Sequence, residues 1–242
     1  QPVPRRQPRH RVAAGVRRTM AINFTIVSVT VLSLLAFLLI AIPFVELSRF
    51  TPFFDPEPGR APLPALLYAA ALSFVAYTGY GRIATLGEEV KQPRRTIPRA
   101  VIMTLSITMI LYLLVAAAGV GVVGARGMGI LTNESNAPLE AAAGSLVGTP
   151  GRIVLAVGAV AAMLGVLLNL IMGLSRVLLA MGRRGDMPML FATLRFDVPL
   201  PAVVTMGAVV AAIVLVGDVR LTWSFSAVTV LIYYAITNAA AL

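Results

Sequence analysis

Residues 19–45 read TMAINFTIVSVTVLSLLAFLLIAIPFV, a run of 27 positions without a charged side chain. A bilayer hydrocarbon core about 30 Å thick is crossed by about 20 apolar residues at 1.5 Å rise per residue, so the run is long enough for a spanning helix. A signal-peptide apolar region is shorter, about 7–15 residues. Barrel strands take about 9–11 residues of alternating polarity, and this run is too long and does not alternate. Moving outward, uncharged runs recur at 61–81, 100–125, 153–175, 198–217 and 221–242, each of 20 to 27 residues. The chain is therefore expected to be an all-α integral membrane protein with six transmembrane helices, at about 20–45, 63–88, 98–124, 152–180, 199–217 and 221–242. These make up a membrane domain over 19–242, and residues 1–18 are expected to form a basic cytoplasmic tail or loop.

Composition agrees with a bilayer environment. Of 242 residues, 58% are hydrophobic and 12% are charged, against roughly 45–50% apolar and about 25% charged in soluble domains. The formal net charge of +10 raises the question of nucleic acid. The basic residues, however, fall between apolar runs and form no continuous patch, so no nucleic acid partner is expected. Their distribution follows the membrane instead. The N-terminal segment, the connection at 82–99 and the connection at 176–197 together hold 15 Arg and Lys; the alternate connections hold 5. Positive-inside logic puts the N-terminal end and both basic loops in the cytoplasm. The expected location is a bacterial plasma (inner) membrane, with multiple crossings and the lipid bilayer as a partner.

No cysteine is present, and the lone histidine is His10 in the basic tail. This excludes disulfides, thiolate metal sites and cysteine nucleophiles, and leaves nothing for a Ser-His-Asp triad. No catalytic residue, metal site or cofactor is expected, and the chain is not read as an enzyme. No phosphate-binding G-x-x-x-x-G-K-[ST] loop occurs, so ATP-driven work by this chain is disfavoured.

The second run contains Phe74-Val-Ala-Tyr-Thr-Gly-Tyr-Gly-Arg82. Two glycines, Gly79 and Gly81, each cost about 1 kcal/mol relative to Ala inside a helix. They let the helix break, which a membrane tolerates only where freed backbone groups line a cavity or are buried in protein. In secondary transporters such breaks form substrate sites. The alternative is close helix packing through small residues. Tyr77, Thr78 and Tyr80 around the glycines favour a polar pocket. Arg82 is the deepest charge, placed either toward a cavity or snorkelling to the cytoplasmic face. A specific order follows: Gly87-Glu-Glu-Val-Lys-Gln-Pro-Arg-Arg-Thr-Ile-Pro-Arg99, with Pro98 suited to the first turn of the next helix.

The run from Tyr77 to Ala100 resembles the sixth span and following loop of amino acid/polyamine/organocation (APC) permeases. Residues 21–43 resemble the fifth span of that family, 137–142 its loop between spans seven and eight, and 174–188 the end of span eight and the loop after it. The resemblance covers nearly the whole chain from about Gly15. It implies part of a LeuT-like 5+5 inverted-repeat carrier, spans five to ten, whose function is alternating-access transport of an amino-acid substrate. It also implies substrate-binding roles for Val75, Tyr77, Thr78, Gly79, Tyr80 and Gly81, and for Gly165, Asn169 and Leu170 on the eighth span. Thr30 and Arg82 stand where coupling or gating is expected, with a proton or sodium as the coupling partner. Many members carry an acid where this chain has Gly81, which argues against a basic substrate. The chain begins with Gln1 and its last run stops at Leu242, so it is expected to be a C-terminal fragment whose partners include the missing N-terminal spans of the same carrier. The alternative is a non-transporting membrane subunit or a truncated remnant, packing through small residues four apart such as Gly207 with Ala211 and Ala117 with Gly121.

Overall fold

The computed structural model describes residues 9–52, 61–79, 92–135, 137–195 and 198–240. In chain order the α-helices are α1 (Arg9–Ala41), α2 (Pro62–Phe74), α3 (Pro93–Glu134), α4 (Pro138–Val147), α5 (Thr149–Arg184), α6 (Leu200–Val216) and α7 (Val219–Ala239). Short 3-10 turns lie at Ile42–Phe44, Leu47–Phe50, Val75–Tyr77 and Met189–Ala192. No strand occurs among the described residues, where extended pairing is limited to a bridge between Arg195 and Val198. Three segments are long and apolar enough to cross a membrane: Ala21–Phe44, Pro93–Glu134 and Thr149–Arg184. The apolar stretches Pro62–Tyr77 and Leu200–Val216 are shorter. The 21 residues of α7 suffice in length, but Thr222, Trp223, Ser224, Ser226, Thr229, Tyr233 and Tyr234 make it less apolar.

The chain divides into two compact units, Gln1–Ala41 with Leu139–Ile213 and Ile42–Pro138 with Val214–Leu242. In the first unit α1 lies antiparallel to α5. Asn23 meets Asn169, Ile26 lies against Gly165, and Thr30 and Ser33 lie against Gly158. As α1 advances from 23 to 33, its partner recedes from 169 to 158. The inward positions of α1 are 23, 26, 30, 33, 37 and 41, the three-and-four spacing of one helix face. Phe37 and Ala41 have no exposed surface. The close approach requires the two glycines, because a Cβ on Gly165 would stand 2.7 Å from Ile26 Cγ2 and one on Gly158 would overlap the Ser33 side chain. Lipid tails are as apolar as a protein core, so dispersion and this backbone proximity hold the pair together.

α5 ends in a Schellman arrangement. Gly185 takes φ +85, its N–H points to the Gly182 and Met181 carbonyls, and the Asp186 N–H reaches the Met181 carbonyl at 3.0 Å. Arg183 and Arg184 occupy its last turn, where cations are favoured by the helix dipole. The turn at Met189–Ala192 then folds back onto Gly182, where a Cβ would stand 2.8 Å from the Ala192 nitrogen.

In the second unit the segment after α1 packs on α3. The Glu46 N–H donates to the Gly121 carbonyl at 3.0 Å, and a Cβ on Gly121 would meet Val45 at 2.8 Å. Three residues further on, Gly124 has φ 78 and ψ 162 and breaks α3. The break interrupts the i to i+4 ladder, so the external donor at Gly121 replaces bonding that a continuous helix supplies from within. α3 starts earlier than the expected opening at Pro98. Gln92, at φ 52, caps it, and the Arg95 and Thr96 N–H groups reach the Gln92 carbonyl at 3.0 Å, so Pro93 takes the first turn. Pro98 is inside the helix, where it leaves the Arg94 carbonyl without its usual donor. Of the small-residue pairs, Gly121 is packed whereas a Cβ on Gly207 would meet nothing within 4 Å.

Large apolar side chains face outward along most helices. Leu39, Met163, Leu215 and Val216 are 70%, 71%, 85% and 90% exposed. Apolar surface on that scale is foreign to a water-soluble fold and suits hydrocarbon.

Candidate functional site

The apolar helix α2 stops at Phe74, four residues before Thr78 and Gly79. Val75–Tyr77 tighten into a 3-10 turn, Thr78 is extended at ψ 164, and Gly79 takes φ +104. Thr78 stitches the turn. Its N–H and its hydroxyl both donate to the Val75 carbonyl, at 3.2 and 2.8 Å. The turn thus consumes one carbonyl twice and turns the chain out of the helix.

The unwound segment borders a cavity of about 260 Å³. Residues 76–79 form one side, and Val101, Thr104, Leu105 and Thr108 of α3 form the other. The four α3 residues stand at i, i+3, i+4 and i+7, so they share one helix face. One turn further, the Tyr112 ring meets the Tyr77 ring edge to face, with centroids 5.5 Å apart. On the other side of α2, Phe74 contacts Tyr234 of α7 at 5.6 Å, and Tyr234 contacts Tyr233 at 5.2 Å. Two aromatic contacts therefore flank the site of unwinding and hold it against α3 and α7.

The sequence-derived candidates fall into separate groups. Tyr77, Thr78 and Gly79 come together at the cavity. Val75 lies behind it, as the acceptor of both Thr78 bonds. Tyr80, Gly81 and Arg82 lie outside the described residues. Gly165, Asn169, Leu170 and Thr30 belong to the first unit and to the α1–α5 pairing. Gly165 is buried under Ile26. The Asn169 amide donates to the Gly165 carbonyl at 2.9 Å and exchanges bonds with the Asn23 amide at 3.5 Å. Leu170 is half-buried on the same helix. The Thr30 hydroxyl donates to the Ile26 carbonyl at 3.0 Å and reaches the Gly158 carbonyl at 3.4 Å. Among the described residues no cluster of His, Cys, Asp and Glu could hold a metal.

The α3 face was missed by sequence reasoning. A signal for it exists: Thr104, Thr108 and Tyr112 recur every four residues within the uncharged run 100–125, a polar stripe along one helix face.

The family described as Amino acid permease matches residues 12–242. The chain is similar to an uncharacterized transporter of Mycobacterium tuberculosis, with 47% identity over 180 residues, covering 73% of this chain and 40% of that protein. It is similar to a branched-chain amino acid permease of Bacillus subtilis, with 28% identity over 174 residues, covering 72% of this chain and 36% of that protein. It is also similar to a vacuolar cationic amino acid transporter of Arabidopsis thaliana, with 26% identity over 209 residues, covering 85% of this chain and 34% of that protein. The chain spans about two fifths of the length of the mycobacterial relative.

Proposed function

The chain belongs to the amino acid permease family, and from that membership we propose that it is part of a secondary active transporter that moves amino acids across a bacterial inner membrane by alternating access. In this reading its six hydrophobic runs are spans five to ten of a LeuT-like inverted-repeat carrier. Preceding spans of the same carrier complete the pocket, and the basic loops face the cytoplasm. The observation that carries the reading is the end of α2. An apolar helix unwinds at Val75–Tyr77, passes a glycine at φ +104, and does so against a cavity. Irregular backbone at membrane depth is stable only where a cavity or protein receives its polar groups.

Val75, Tyr77, Thr78, Gly79, Tyr80 and Gly81 are the proposed substrate segment. Gly165, Asn169 and Leu170 are proposed to serve it from the eighth span. For Thr30 a gating role is favoured over proton carriage, because its hydroxyl bridges carbonyls of α1 and α5 and has no acidic character. Arg82 is proposed as the second gating position, with proton or sodium as the coupling ion. Named relatives handle branched-chain and cationic amino acids, so membership leaves the choice of amino acid to the pocket.

The test is uptake of radiolabelled amino acids by proteoliposomes holding the complete carrier. Saturable, gradient-dependent uptake is expected, and Gly79→Leu or Gly81→Leu should abolish it with insertion intact. Unchanged uptake in both variants would overturn the broken-helix site.

A further inference from the structure

The cavity beside the α2 break has a wall that the family resemblance does not assign. Val101, Thr104, Leu105 and Thr108 present one face of α3 to it. Three properties of that lining limit what it accepts. First, none of the described lining residues carries a charge. An ammonium or guanidinium side chain placed against this face would find no carboxylate among the described lining residues, and a charge taken out of water without a partner is unfavourable. Second, the hydroxyls are unequal. Thr78 donates to the Val75 carbonyl and Thr108 to the Thr104 carbonyl, both at 2.8 Å, so each leaves only oxygen lone pairs for a ligand. The Thr104 hydroxyl has no partner among the described residues, so its proton is available. Third, these residues bound about 260 Å³, a space suited to a short side chain beside a pocket whose other walls the proposed preceding spans supply.

We propose that this α3 face is the specificity wall of the carrier, selecting small neutral amino acids, with Val101 and Leu105 receiving an aliphatic side chain and Thr104 recognising a side-chain hydroxyl. The proposal rests on the transport reading above. A site that hydrogen-bonds a substrate hydroxyl discriminates strongly against the analogue lacking it, whereas an apolar wall separates neighbours by shape.

The experiment uses the complete carrier in proteoliposomes with radiolabelled L-threonine, L-valine and L-arginine. Wild type is expected to take up threonine and valine and to leave arginine in the medium. Thr104→Val, which keeps the shape and removes the hydroxyl, should raise KM for threonine about tenfold and leave that for valine unchanged. Thr104→Ser should retain threonine transport. Leu105→Trp, which fills the cavity, should suppress both neutral substrates and leave the protein inserted; it keeps the test decisive if Thr104→Val fails to reach the membrane. Uptake of arginine in preference to both neutral substrates overturns the neutral selectivity. Unaltered threonine-to-valine ratios in Thr104→Val together with normal uptake by Leu105→Trp overturn the specificity wall and leave the carrier reading standing. No gradient-dependent uptake of any amino acid by wild type removes the carrier reading itself.

Discussion

Gly79 combines φ +104 with open space where a Cβ would sit. Its constraint is therefore conformational, since there is no neighbour for a side chain to strike. An L-residue held in such a region costs on the order of 1–3 kcal/mol. Gly79→Ala should accordingly lower uptake sharply with a normal amount of protein in the membrane, measured by transport alongside quantitative blotting. Wild-type uptake by the Ala variant would mean that the backbone at 79 is free to choose another conformation. The tyrosines nearby have a different part. Tyr77 and Tyr112 meet edge to face, an arrangement worth about 0.5–1.5 kcal/mol beyond burial. They brace the turn against α3, so Tyr112→Leu should raise KM modestly, and Tyr112→Phe should restore it.

At the scale of elements, α1 and α5 are joined by a backbone-close seam with a few polar pairs. The magnitudes separate these contributions. The amide pair Asn23–Asn169 sits at 3.5 Å, the long limit of a hydrogen bond, and interhelical polar pairs in membranes average about 0.6 kcal/mol. A double-mutant cycle with Asn23→Leu and Asn169→Leu should return a coupling no larger than that in detergent unfolding. Gly158 matters more. A methyl there runs into Ser33, and overpacking costs about 1–3 kcal/mol. Gly158→Ala should lower the unfolding midpoint, and adding Ser33→Gly should recover most of the loss. A Gly158→Ala variant as stable as wild type would show that the seam can widen without cost.

For the whole molecule, the absence of cysteine from these 242 residues makes their topology directly testable, because a thiol introduced among them has no native thiol beside it in this stretch. In the proposed orientation, with the N-terminal end cytoplasmic, Thr51→Cys and Asn133→Cys should label with an impermeant maleimide from outside intact cells. Thr96→Cys and Thr193→Cys should label only after permeabilisation. Labelling of all four from one side would break the six-crossing arrangement. A second outcome concerns completeness: vesicles containing only residues 1–242 should show no saturable uptake, since the proposed pocket needs the preceding spans.

Helical class and the membrane as solvent were legible in the sequence because both depend on local quantities: run length, absence of charge and the placement of arginines between runs. The family was legible for a related reason, since the Gly-Glu-Glu to Pro-Arg-Arg-Thr-Ile-Pro order is contiguous. Of the two glycines, Gly79 takes a backbone conformation that only a missing Cβ makes easy, at φ +104, five residues after α2 has ended at Phe74. The α3 wall was not legible in the same way. Its threonines are ordinary until the unwound turn at 75–79 is laid beside them, and only the tertiary structure supplies that pairing. The same holds for Gly158 under Ser33 and for Gly121 under Val45, whereas Gly207, equally suggestive in sequence, faces open space. A small residue permits close approach, but which helix makes the approach is decided by contacts between residues far apart in the sequence.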